Sequence, residues 1–294
     1  MVRERIPKWK LISKEEAMGL RINTNVLSLA AQRSLGVNNS KQQQTLERLS
    51  SGSRINRAAD DAAGLAISEK MKAQIRGLQQ AERNVGDGIS MIQTAEGGLN
   101  EVSNILTRLR ELSMQSASDT VNDTERGFTN LEYQNLKAEI DRISQVTEFN
   151  GNKLLDGSRG SYDIQVGINN DAFQDRIVFN AEAIQSGTSS LGVGEVDISS
   201  KEGAQESLAV LDSAIEMVSG KRAELGAKQN RLTSTMNNLE VFTENLSAAN
   251  SRIRDTEYAE ETAKNTKLNI LNNAGAAVLA QSNSQGAAAL KLIG

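Results

Sequence analysis

Asp60 and Asp61 stand side by side in a chain of 294 residues, and neighbouring carboxylates can divide acid and base work or hold a divalent cation. Either task needs further groups, and the usual ones are missing. The chain contains no His and no Cys, so there is no imidazole base, no thiol nucleophile and no zinc site of the Cys or His type. The two acids fall just ahead of a long apolar-periodic stretch. There they read as the cap and first-turn charge of a helix, with Arg54 or Arg57 as partners. Gly64, Gly77, Gly86, Gly88, Gly97 and Gly98 form no phosphate cradle, because they lie inside helical periodicity and follow no strand. Close packing accounts for them, at some cost in helix stability. No catalytic residue, cofactor or metal is expected.

The elements around these residues are foreshadowed by composition. Aromatics make up 3% and Pro occurs once, while 38% of residues are hydrophobic; with Ala, Asn, Gln, Ser and Leu recurring, this suits long helices better than a compact globule. The net charge of −4 is spread in mixed sign with no basic block, which disfavours nucleic acid. No run of about 18 apolar residues exists for membrane insertion. Absence of Cys means no disulfide, as suits a cytosolic chain or one that must stay unfoldable in transit. Residues 1–17 lack the apolar middle of a secretory signal. They hold the only Pro (Pro7) and the only Trp (Trp9), and read as an appended segment, with Met18 opening the working protein.

Heptads dominate two long stretches of the chain. Met71, Leu78, Val85, Ile92, Leu99 and Leu106 recur at every seventh position, and Ile75, Ala81, Ile89, Ala95, Val102 and Leu109 make a second row. Together they predict a coiled-coil seam on one helix over about 60–118. Leu211, Val218, Leu225, Leu232, Leu239, Leu246 and Ile253 repeat the pattern. Their companions Leu208, Ile215, Arg222, Gln229, Met236, Thr243 and Asn250 turn polar along the way, which lowers stability but restricts register. The simplest fold lays the two rows antiparallel. Between them, Leu131, Leu136, Ile140 and Ile143 predict a third helix with one apolar face, ended by the Phe149-Asn150-Gly151 turn. Tyr162, Ile164, Val166 and Ile168 then alternate as a strand does, and Ile177 and Phe179 mark a second strand.

Outside these rows the pattern thins. Ile22, Val26 and Leu29 open a stripe that continues only through Leu35, Val37, Leu46 and Leu49, and Leu268, Leu271 and Val278 make another among Asn, Gln, Ala and Gly. Burying a Leu-sized side chain yields about 1.5–3 kcal/mol, and ordering each residue costs about 1–2 kcal/mol. So few large side chains per turn predict poorly ordered ends that need more apolar surface than one chain supplies.

Long segments resemble bacterial flagellin: MGLRINTNVLSLAAQRSL, LERLSSGSRINRAADDAAGLAISEKM, RNVGDGISMIQTAEGGLNEV, LTRLRELSMQSAS and TEFNGNKLL in the first half, then NRLTSTMNNL, ENLSAANSRIRDTEYAEETAK and AAVLAQSNSQGAAALKLIG. The likeness runs from Met18 to Gly294. It implies a mainly α fold, with long antiparallel coiled-coil helices from the N- and C-terminal halves and a small β-hairpin tip. It implies an inner terminal helical domain of 18–60 with 255–294, an outer long-helix domain of 61–150 with 204–254, and a β tip at 151–203, too short for large variable outer domains. Gly286 stands where many relatives carry Pro.

By the same resemblance the chain is a structural subunit that polymerises with itself into the extracellular flagellar filament used for swimming. A hook-filament junction protein is the alternative. Ile22, Val26, Leu29, Leu46, Leu49, Leu268, Leu271, Val278, Leu290 and Leu292 are the expected polymerisation interface. Expected partners are an export chaperone on the C-terminal segment, the flagellar export apparatus, and the filament cap and hook-associated proteins, with passage through the export channel and no cleaved signal. Arg108, Leu112 and Glu132 match the motif sensed by the host Toll-like receptor for flagellin. Some flagellins carry a metallopeptidase insert, which needs a His-Glu-x-x-His site that a chain without His cannot supply.

Overall fold

The computed structural model describes residues 24–291, with side chains through 284. Residues 1–17, Met18, Ile22 and Leu292 lie outside the described residues, as does the Leu290 side chain. Five helices run through the described part: α1 (Val26–Ser51), α2 (Ala62–Ser116), α3 (Asp123–Val146), α4 (Lys201–Arg254) and α5 (Tyr258–Lys291). Four short strands lie between α3 and α4: β1 (Glu148–Phe149), β2 (Asn152–Lys153), β3 (Ser161–Gln165) and β4 (Arg176–Asn180). By contacts the chain divides into two compact units, Glu69–Asn250 and Met1–Ser68 with Ser251–Gly294.

In the unit Glu69–Asn250, one apolar core joins α2, α3, α4 and the strand region. Leu78, Val85, Ile92, Leu99 and Leu106 of the first row are buried, as are Leu211, Val218, Leu225, Leu232 and Leu239 of the α4 row. Arg110 pairs with Asp212 at 2.6 Å and Arg222 with Glu96 at 3.9 Å, so rising numbers on α2 meet falling numbers on α4 and the helices are antiparallel. The second α4 row differs from expectation. Leu208, Ile215 and Arg222 are only half-buried, and Ala204, Ser207 and Ala214 fill the seam instead. Small residues carry only a weak hydropathy signal, although they let helices approach closely.

An Asn122–Glu125 capping box starts α3: Glu125 N donates to Asn122 Oδ1 at 2.9 Å and Asn122 N to Glu125 Oε2 at 3.1 Å. The buried face of α3 carries Arg126, Tyr133, Lys137, Ile140 and Ser144. Leu131 is 63% exposed: at about 100° per residue it falls opposite Ile140, so the expected stripe of four does not hold. Arg126 donates to the carbonyls of Ser116 and Ser118, closing the turn from α2.

The Asn-Gly pair does not itself end α3. It forms the tight turn of the β1–β2 hairpin, with φ of 51° at Asn150 and 76° at Gly151, the positive pair that a two-residue hairpin loop prefers. β3 and β4 pair antiparallel, Ser161 opposite Asn180 and Gln165 opposite Arg176. Ile168 lies beyond β3 and is exposed. Instead of projecting, the strand region lies along α2. An added Cβ at Gly88 would come within 2.7 Å of Ile164 Cδ1, at Gly98 within 2.7 Å of Leu155 Cδ1, and at Gly77 within 2.9 Å of Ile168 Cγ2. These three glycines are seats for the strand region. Gly86 and Gly97 face open space and have no such role. The segment leading to α4 is strapped down by Lys137, which donates to Gly194 O and Val196 O, and by Asp141, which accepts from Thr188 N and Oγ1.

In the other unit α1 and α5 pair with each other. Asn25 caps α1 by accepting from Ser28 N, and Gly52 ends it at φ 68°. The chain segments beyond the paired ends join through a Ser53–Asp255 bridge, with Arg54 N donating to Arg254 O and Thr256 N to Gly52 O. Asp61 Oδ1 caps α2 by accepting from Gly64 N at 2.8 Å. Asp60 Oδ2 accepts from the backbone of Asn56 and Arg57, and these bonds hold its carboxyl below the usual range. Neither acid pairs with the arginine head groups as expected: Arg57 binds Glu47 at 2.7 Å, and Arg54 Nη2 donates to Ile253 O at 2.7 Å.

Candidate polymerisation interface

The α1–α5 pair is antiparallel. Asn25 Nδ2 donates to Ser282 O at 2.9 Å near the start of α1, and Tyr258 OH to Leu49 O at 2.9 Å near its end. Covered positions recur at three- and four-residue steps, as in a heptad seam: Ser28, Ala31, Leu35, Asn38, Gln42, Thr45 and Leu49 on α1, then Glu261, Asn265, Leu268, Asn272, Gly275, Leu279 and Ser282 on α5. Most are polar or small. Thr45, Ser28, Glu261 and Ser282 are buried, whereas among the leucines of the seam only Leu268 is. Arg48 stands 3.8 Å from Glu261, which also lies 3.5 Å from Lys264.

The large apolar side chains point the other way. Val26, Leu27, Leu29, Val37 and Leu46 on α1 are 53%, 51%, 54%, 48% and 48% exposed, and Ile270, Leu271 and Val278 on α5 are 63%, 41% and 59% exposed. Polarity is thus inverted relative to a free-standing helix pair, which buries its apolar stripe. Of the residues expected at the interface, Val26, Leu29, Leu46, Leu271 and Val278 stand on this outward surface. Leu268 is buried and Leu49 half-buried in the chain's own seam, so these two stabilise the pair itself. Leu27, Val37 and Ile270 were not legible as surface residues, because the thin stripe alone did not reveal which face α1 and α5 would turn to each other.

Arg108, by contrast, meets Glu132 across the α2–α3 hairpin. Its Nη2 lies 2.8 Å and its Nε 3.0 Å from Glu132 Oε1, and Nη1 lies 3.0 Å from Glu111. Hydrogen bonds to Glu132 and Glu111 raise the Arg108 pKa above its ordinary value. Leu112 is 1% exposed and packs in the core beneath. Among the described residues no cluster of acids could hold a metal ion, and no helix is long and apolar enough to cross a membrane.

The family model for the bacterial flagellin N-terminal helical region matches residues 22–159, and that for the C-terminal helical region matches 208–293. This chain belongs to the bacterial flagellin family. A flagellin of Halalkalibacterium halodurans is 47% identical over 272 residues, covering 92% of this chain and 99% of that one. A flagellin of Bacillus subtilis is 44% identical over 308 residues, covering 93% and 100%. Among solved structures, a Vibrio parahaemolyticus chain assigned to the flagellar hook-associated proteins superposes with a TM-score of 0.56 over 67% of this chain and 100% of that one, at 13% identity, a likeness of fold alone. Flagellins are structural proteins, and this one is a short form without a large outer domain, serving as a subunit of the flagellar filament. The interval between the matched regions contains β3, β4 and the strap leading to α4.

Proposed function

We propose that this flagellin joins its filament through the outward apolar side chains of α1 and α5, Val26, Leu29, Leu46, Leu271 and Val278, joined by Ile22, Leu290 and Leu292. The inverted polarity of the α1–α5 pair carries this reading: a polar seam inside and exposed leucines and valines outside leave the pair short of apolar cover until copies of the chain supply it. Contacts of this kind, head to tail and not closing, extend a helical polymer. The work is mechanical, with no chemistry asked of any side chain, and the place is outside the cell. In domain terms, 18–60 with 255–294 form the inner part, 61–150 with 204–254 the outer helical part, and 151–203 the β region.

Seeded elongation tests it. Purified chain added to filament seeds elongates them without limit, whereas a junction protein would cap them after one layer. Removing residues 255–294 abolishes elongation; filaments that grow unchanged from the truncated chain would defeat the assignment. The same segment is the proposed seat of an export chaperone before passage through the flagellar channel, with the filament cap and hook-associated proteins as neighbours after it. The exposed Arg108–Glu132 pair favours a second role, contact with the host Toll-like receptor for flagellin, in which buried Leu112 holds α2 in place beneath Arg108. Arg108→Ala monomer then signals weakly in receptor reporter cells; full signalling from that variant would remove the pair from the contact.

A further inference from the structure

A seam built mostly of small and polar residues poses a problem of register. Leu35, Leu49, Leu268 and Leu279 recur on both helices at heptad-compatible spacing, so a slip by one heptad would set leucine beside leucine, Leu35 by Leu268 or Leu49 by Leu268. Apolar burial alone does not prefer the observed register. Two features do. Gln42 is held on both sides of its amide: its Nε2 donates to Asn269 Oδ1, and Asn272 Nδ2 donates to its Oε1 at 2.7 Å. Leu35 sits over Gly275, where an added Cβ would come within 2.9 Å of Leu35 Cδ2, so a side chain there would close the notch.

We infer that Gln42, clasped between Asn269 and Asn272, is the register-determining residue of the α1–α5 pair, with the Leu35–Gly275 notch in support. A one-heptad slip moves α5 by about 10 Å along α1 and breaks both amide bonds. A polar group placed in a seam specifies alignment: Gln42 is half-buried, and a misaligned pair gives up both of its amide bonds and must satisfy that amide elsewhere. This inference rests on the proposed interface only for its consequence: the register decides which of Leu29, Leu46, Leu271 and Val278 stand level with one another on the outward surface.

Because the chain contains no Cys, paired cysteines report the register directly. Ser28 and Ser282 converge on the Asn25 side chain, so Ser28→Cys with Ser282→Cys marks the observed alignment. Asn38→Cys with Asn265→Cys, and Asn38→Cys with Leu279→Cys, mark slips of one heptad in either direction. Each pair is oxidised in full-length chain both free in solution and after addition to seeds, and intrachain cross-links are read as compacted monomer on a denaturing gel, apart from interchain ladders. With Gln42 and Asn272 intact, only the first pair closes. In a Gln42→Ala background, which removes both bonds without adding bulk, the slipped cross-links rise about tenfold, as expected for two lost amide bonds. If that variant loses its helices by circular dichroism, Asn272→Ala, which removes one of the two bonds, replaces it, with a smaller rise expected. Slipped cross-links that stay at background in every clasp variant, or that already match the first pair in the parent, overturn the inference. Filament mass, measured separately by sedimentation, tests the assembly reading, and either result can fail without the other.

Discussion

Leu29 and Val278 keep 54% and 59% of their surface exposed in the single chain. Fully burying side chains of this size contributes about 1.5–3 kcal/mol each, so covering the remaining half of both in a filament contributes about 2 kcal/mol per subunit. Replacing both by Gln preserves helix propensity at Leu29 and improves it slightly at Val278, so helix formation is not the variable under test. The loss of about 2 kcal/mol raises the lowest concentration that supports seeded elongation about thirtyfold, since each 1.4 kcal/mol is tenfold. The folded chain itself should barely respond: surface substitutions away from special features change stability by less than about 0.5 kcal/mol. The assay is sedimentation of polymer from seeds over a dilution series, beside a urea melt of the unpolymerised chain. Lys267→Gln, at another exposed position of α5, is the control and leaves both measurements unchanged. A double variant that polymerises at the parental concentration would show that these side chains are not covered in the filament, and the inverted polarity would have to be explained otherwise.

Three further outcomes are expected. Gly86→Ala stabilises by about 0.5–1 kcal/mol, because nothing lies within 4 Å of the new methyl, whereas Gly88→Leu destabilises by about 1–3 kcal/mol through overpacking against Ile164; urea midpoints that move in the same direction would contradict the seat. Asn122→Ala removes the side-chain half of the capping box and costs about 1 kcal/mol, read as an earlier urea midpoint with unchanged slope. Burial pushes the Tyr133 phenol from 10.0 to about 12, with the adjacent Ser113 hydroxyl opposing only weakly because neither oxygen reaches a well-formed hydrogen bond. The unfolded chain therefore loses this proton first, and stability falls as pH rises from about 10 to about 12, by about 2–3 kcal/mol in all. Tyr133→Phe flattens that part of the pH profile, and a profile identical to the parent's would refute the assignment.

The first heptad row on each of α2 and α4 was written in residue types, and so was the burial of most of it, as for Leu99 and Leu225; the second row of α4 was not, because Ala204, Ser207 and Ala214 took its place in the seam. The Asn150-Gly151 turn was equally local, since a pair of positive φ angles selects those two residues. Local pattern also placed the start of α2 at the Asp60-Asp61 pair, but not the partners of Arg54 and Arg57, which lie in other segments of the chain. Leu131 and Ile168 are apolar in type, yet their directions were set by what packed beside them. Which glycines of α2 were seats and which stood in the open depended on where Leu155, Ile164 and Ile168 came to rest. At the two ends the division is sharpest. Composition showed that α1 and α5 carry few large apolar groups; only the tertiary pairing decided that Ser28, Gln42, Thr45 and Glu261 turn inward while Val26, Leu29 and Val278 turn outward. A thin stripe on a helix gives a weak preference for any one face, so the face that turns inward is settled by the helix it packs against.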